Sequence, residues 1–223
     1  GEKITLGLYL TGHPIAQYEA EIRQFPKTNK IINGTVAQLL SKVESSKGKI
    51  EVRVAGLVVE IRTRQTKQGK TMGFAMIDDK TGRLEIAAFG DKYETYRSIF
   101  SKDTLLVAEG ALAIDDFSGN LRLNIETLYS MDQFREQFAK SLQISWVVGG
   151  QVQEDNAFIS ELQAALQPFK GGSCSVDISY TSSKATTNIQ LGDNWRVHPM
   201  DELLARLKRL PGISGRDDVI VCY

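Results

Sequence analysis

The chain has 223 residues, 27 of them basic and 27 acidic, and 42% are hydrophobic. This is enough for one large domain or two small ones, it excludes long disorder, and it lacks the charge bias that would force a polyanionic partner. No apolar run reaches the roughly 18 residues that cross a bilayer, and the start, GEKITLGLYLTGHP, has neither the basic n-region nor the cleavage site of a signal peptide. The two cysteines, Cys174 and Cys222, lie far apart without CxxC spacing. That argues against a zinc site or a disulfide framework and for a reducing, cytoplasmic compartment. The chain begins at Gly1 without a Met, so it is expected to be a piece of something longer.

Residues 1–48 read as helical with breaks at Gly12, Pro14, Pro26 and Gly34. Thr35 and Gln38 form a capping box that opens a short helix through Val36, Leu39, Leu40 and Val43. Polar residues 44–49 mark a boundary. From Ile50 the apolar period becomes two: Ile50, Val52 and Val54, then Leu57, Val59 and Ile61. The change of phase predicts a bulge at Ala55-Gly56, as in a long strand that bends to close a barrel. Residues 72–78, 83–89, 105–114 and 121–127 read as four further strands, with Met72, Phe74 and Met76 inward on the second. A short helix at 90–100 lies between the third and fourth. Five strands with that one helix in about 80 residues are the layout of an OB-fold barrel.

After residue 130 the pattern is α+β. Ser130 and Gln133 suggest a capping box for a helix bearing Met131, Phe134 and Phe138. Strands are expected at 143–148, 174–180, 185–191, 195–199 and 218–223. A helix carries Phe158, Ile159, Leu162 and Leu166 on one face, and another begins near Pro199. The expected organisation is a helical segment 1–48, an OB domain 49–130 and an α+β domain 131–223.

No catalytic constellation is present, and no metal or cofactor is expected. His13 and His198 each lie beside a proline at a turn. Asp78-Asp79 and Asp115-Asp116 sit beside glycine-bearing turns, where Asp is favoured for backbone reasons. The informative feature is Arg62, Arg64, Lys67 and Lys70, four cations and no acid on the loop joining strands one and two. In an OB-fold that loop and the loop joining four and five border the binding face, where cations track a nucleic-acid backbone and flat side chains stack on bases. Alternation adds Arg83 and Phe89 on strand three and Arg122 on strand five. Phe117, in the four–five loop, is the candidate stacking platform. The charged hairpin also fits a protein-interaction module, or an anticodon-type RNA-binding module. Residues 50–129 carry 11 basic and 12 acidic side chains, so binding there is expected to be weak and salt-sensitive.

LGLYLTGHPI (6–15), followed by VRVAGLVVEIRTRQTKQGKTMGFAMIDDKTGRLEIAAF (52–89), resembles the alpha subunit of bacterial DNA polymerase III. The resemblance covers the whole chain and corresponds to the C-terminal part of that subunit. It implies the end of the clamp-binding region at 1–48, an OB domain that binds single-stranded template DNA, and a last domain that binds the tau subunit of the clamp loader. It also implies attachment to the rest of the polymerase alpha chain. The family's catalytic aspartates have no counterpart here, so the piece is expected to do no nucleotidyl transfer itself. QFREQF (133–138) puts Glu136 where the sliding-clamp peptide has an apolar residue, so the clamp motif is expected upstream of residue 1. Residues 141–223 carry 7 basic and 9 acidic side chains, a balance that suits a protein partner better than DNA.

Overall fold

The computed structural model describes residues 13–46, 48–115, 118–147, 152–183 and 185–223, without the side chains of 152–155 and Arg216. It divides into two compact units, Gly1–Ser130 and Met131–Tyr223.

In the first unit, five strands close a barrel: β1 (Ile50–Gln65), β2 (Thr71–Asp78), β3 (Arg83–Phe89), β4 (Leu105–Ile114) and β5 (Leu121–Ser130). The order around the barrel is β1-β2-β3-β5-β4, and β4 returns to β1. β1 makes closure possible because its first half pairs with β4, from Ile50 opposite Leu112 to Leu57 opposite Leu105, and its second half pairs with β2. The β3–β5 pair is parallel and the others are antiparallel. This is the five-stranded OB-fold.

The bend in β1 lies later than its sequence suggests. The inward phase of Val52 and Val54 continues through Gly56 to Val58, and the register slips between Val58 and Glu60. Gly56 occupies an inward position where a Cβ would stand 2.9 Å from Ile77 Cβ. It is therefore a site of close approach inside the barrel, and Val59 is the extra residue. Leu57 and Val59 are only half-buried, so the expected switch at Ala55-Gly56 is corrected by three residues.

β2 also corrects the expected facing. Ala75 and Ile77 point into the core with Leu84, Ile86, Leu106, Leu112 and Leu123, whereas Met72, Phe74 and Met76 lie on the outer wall. The helix α1 (Val36–Ser45) adds Val36, Leu39 and Val43 to the same core. It starts at the Thr35–Gln38 capping box. Its first amides are also bonded by the β2–β3 turn: Val36 N–H donates to Asp79 Oδ2 at 2.7 Å, and Ala37 N–H to Thr81 Oγ1 at 3.1 Å. Asp79 Oδ1 accepts from the Thr81 and Gly82 amides, which accounts for this carboxylate without a metal. A short helix, α2 (Asp91–Tyr96), covers the barrel between β3 and β4. Arg53, which alternates with Val52 and Val54 along β1, is buried where residues 25–33 cross over it.

The second unit opens with α3 (Met131–Phe138). Its sheet runs β9 (Val219–Cys222), β6 (Ser141–Val147), β7 (Lys170–Thr181), β8 (Thr186–Gln190). The helix α4 (Val152–Leu166) links the parallel pair β6–β7, and α5 (Asp201–Leu207) precedes β9. Leu142, Ile144, Val176 and Ile178 meet Phe158, Leu162, Leu166, Leu203 and Leu207 in one core. Trp146 stacks on Phe158 with ring centroids 3.8 Å apart. Ile159, expected on the same face as Phe158, is exposed. The strand expected at 195–199 reduces to isolated bridges from Val197 to Lys170 and Cys174. In α3, Phe134 is buried against Phe138 and Tyr223, so this end of QFREQF packs inward instead of standing free as a peptide.

Candidate nucleic-acid interface

The outer wall of β2 and β3, flanked by the β1–β2 hairpin, forms the candidate interface. The hairpin is a closed turn: Thr66 N–H donates to Lys70 O at 2.8 Å, and Gly69 N–H returns to Thr66 O at 2.9 Å. Gly69 sits at φ 77°, a left-handed conformation that other residues adopt only with strain. The end of β1 presents Arg64 and the turn presents Lys67 to solvent, and neither makes an ion pair or side-chain hydrogen bond among the described residues. Lys70 is exposed and has one loose neighbour, Asp91, at 3.8 Å.

Arg62 behaves differently. Its guanidinium lies back along the barrel, 4.7 Å from the centre of the Phe74 ring, and Nη2 donates to Glu85 Oε2. Arg122 approaches the same ring at 5.4 Å, gives Nε to Glu85 Oε1 at 2.6 Å and gives Nη1 to Asp115 Oδ1 at 2.6 Å. Phe74, expected in the core, is instead buried under two guanidiniums and against the edge of Phe89, whose centroid is 6.1 Å away. Burial opposes ionisation of Glu85, but the hydrogen bonds from Arg62 and Arg122 outweigh it and hold its carboxyl below the usual range.

Phe89 is 43% exposed. It borders a groove of about 780 Å³ with Lys49, Lys70, Lys92, Asn124 and Glu126. Lys92 is paired with Glu126. Arg83 is at the other end of β3 from Phe89, about 20 Å along the strand, where it donates to Asp78 at 3.0 Å. The sequence-predicted set therefore separates. Lys70 and Phe89 line the groove, Arg64 lies in register with Met72, which pairs with Phe89, Lys67 stands on the hairpin turn outside the groove lining, and Arg62 and Arg122 form a self-paired platform beside them. Arg83 stands apart, and Phe117 lies outside the described residues, as does Asp116. Sequence reading missed Phe74 and Glu85 as members of the site. The available signal was Glu85 itself, an acid on the same alternating face as Arg83 and Phe89.

No group of three or more metal-ligating side chains occurs among the described residues. No described helix is long and apolar enough to cross a membrane.

Two families match the chain. The OB-fold nucleic acid binding domain covers residues 52–131, the barrel strands, and the C-terminal domain of DNA polymerase III subunit alpha covers residues 161–212 in the second unit. The chain is 36% identical to the DNA polymerase III subunit alpha of Haemophilus influenzae over 215 residues, 96% of this chain. It is 36% identical to that of Escherichia coli K12 over 212 residues, 95% of this chain. It spans 17% of the length of each of these relatives. Among solved structures, a crystal structure of yeast Stn1 and Ten1 aligns with a TM-score of 0.38 and 12% identity, over 52% of this chain and 69% of that one. Similarity to these relatives over nearly all of this chain, together with the match of residues 161–212 to the C-terminal domain of DNA polymerase III subunit alpha, shows that the chain corresponds to the C-terminal region of that subunit.

Proposed function

We propose that the barrel holds single-stranded DNA along the groove beside Phe89, as a non-catalytic arm of a replicative polymerase in the cytoplasm. Arg64, Lys67 and Lys70 take the backbone and Phe89 stacks on a base. In this reading the second unit, 131–223, docks on the tau subunit of a clamp loader, and residues 1–48 close the clamp-binding region. The arm raises local template concentration by tethering and makes no bonds itself. One observation carries the reading: an exposed aromatic ring, Phe89, borders an open groove lined by Lys49, Lys70 and Lys92, on the barrel whose hairpin carries Arg64 and Lys67 without an ion-pair partner among the described residues. Stacking supplies sequence-tolerant affinity, and free cations supply the salt-dependent part.

Arg62, Arg83 and Arg122 enter this proposal with less weight than the hairpin cations, because each is already neutralised by an acid of the chain. The same self-pairing favours the rival reading, an OB module that contacts only proteins. Fluorescence anisotropy with labelled oligo-dT separates the two. The expected result is binding at about 20 mM salt, with a log–log salt slope that flattens in an R64A/K67A/K70A variant by roughly 0.7 for every phosphate no longer neutralised. An unchanged slope removes the hairpin from the interface, and absence of binding favours the protein module. Preference for structured RNA over oligo-dT points to the anticodon-type reading. For the second unit, the test is capture of the chain by the C-terminal part of tau; no capture at micromolar concentration overturns the tau assignment.

A further inference from the structure

Glu85 carries the wrong sign for the middle of a DNA-binding wall. It stands on β3 opposite Met76 of β2 and Arg122 of β5. One carboxylate oxygen takes Arg62 Nη2 and the other takes Arg122 Nε. Its side chain is 15% exposed and that of Arg62 is 40% exposed. A carboxylate bridging two guanidiniums holds both over the Phe74 ring, at 4.7 and 5.4 Å from its centre. It also occupies one donor of each guanidinium, Nη2 of Arg62 and Nε of Arg122, that a phosphate oxygen would otherwise take.

We infer that Glu85 is a built-in competitor for the phosphate backbone. In the free protein it closes the Arg62–Phe74–Arg122 platform, and a strand gains that platform by displacing the carboxylate from Arg62. The inference rests on the reading of the barrel as a single-strand binder. Displacement at Arg62 costs little desolvation because that guanidinium is the more exposed of the two. Arg122 is anchored a second time by Asp115 and stays bonded to Glu85. The acid is therefore never left as a half-buried charge without a partner. The strand gains a contact on a ring-backed guanidinium, and the returning carboxylate hastens its release.

The test uses the full chain and a dodecamer of dT, followed by anisotropy in a salt series from about 20 mM, for the wild type, E85Q and R64A/K67A. E85Q is expected to bind more tightly at low salt, with a slope steeper by at most roughly 0.7, the one phosphate contact that Arg122 adds, since the strand reaches Arg62 in both proteins. Binding equal to or weaker than wild type, with the same slope, overturns the competitor role, while a flattened slope in R64A/K67A shows that the binding reading itself stands. Absence of binding by all three proteins overturns both. Should E85Q melt well below wild type, the arginine Nε–H resonances of wild-type Arg62 and Arg122 provide the readout. Their movement on adding the dodecamer supports displacement. Resonances that stay in place while the hairpin amides shift overturn it.

Discussion

Arg53 and Glu109 face each other across the β1–β4 seam, with Arg53 Nε 2.6 Å from Glu109 Oε1. The arginine is 3% exposed, and its Nη1 also donates to Pro26 O at 2.6 Å. One buried cation therefore joins three parts of the chain: both strands of the seam and the segment crossing over them. Truncating it leaves Glu109 enclosed without its counter-ion. R53A is expected to destabilise the first unit by about 3 kcal/mol. R53M/E109L, which removes both charges, should lose far less. Urea unfolding followed by circular dichroism compares them, and equal losses would show that the pairing contributes nothing beyond side-chain volume.

Phe74 and Phe89 touch edge to face, yet their roles divide by exposure. F89A is expected to leave the melting temperature nearly unchanged and to weaken oligo-dT binding by about 1–3 kcal/mol, the range for removing one base stack. F74A removes a buried ring and the support of two guanidiniums, so it should cost about 3 kcal/mol of stability. If the binding loss instead follows Phe74 and spares Phe89, the strand runs over the platform and not along the groove.

The acid side of the stability profile follows from Asp78 and Glu85. Burial opposes ionisation of both. For Asp78 the Lys80 amide and Arg83 prevail over it, and for Glu85 Arg62 and Arg122 do; both carboxyls are held below their usual range. A lowered folded value means that the stabilisation is complete above the unfolded values near pH 4 and is lost as pH falls through the folded ones. Thermal melts should therefore be flat from neutral pH to about 5 and fall below about 4. In E85Q that acid-limb decline should be shallower.

Cys174 is fully buried, and burial pushes its thiol up to about 12, whereas Cys222 is half-buried near the chain end. Thiolate is the reactive form, so iodoacetamide at pH 8 should modify Cys222 first and leave Cys174 untouched in the folded chain. Peptide mapping after a timed reaction checks this. Early modification of Cys174 would mean that the second unit opens readily.

The barrel was legible in the sequence because its strands alternate and its turns carry Gly and Asp at the expected places. Arg83–Phe89 and Leu105–Ile114 fall where the pattern puts them. The α1 capping box was legible for the same reason, since its partners are three residues apart. Facing was harder to read. The alternation from Leu57 to Ile61 is ambiguous once a bulge and an inward glycine share a strand, and Leu57, Val58 and Val59 are all apolar. Met72, Phe74 and Met76 looked like core because no local pattern reports that two arginines cover the outer ring. Those arginines lie 12 and 48 positions from Phe74 in sequence (74 − 62 and 122 − 74). The charge state of the site was illegible for the same reason: Glu85 is 23 residues from Arg62 and 37 from Arg122.

The double pairing of β1 governs how the barrel assembles. Its union with β2 is a local hairpin that can zip within microseconds, but its union with β4 joins residues such as Ile50 and Leu112, separated by the whole of β2, β3 and α2. Loop-closure entropy for that second seam must be met before its contacts return any stability, so folding of the first unit should be slow, in the millisecond-to-second range of high-contact-order barrels. A chain emerging from a ribosome therefore carries an open, unsealed sheet until β4 has been synthesised.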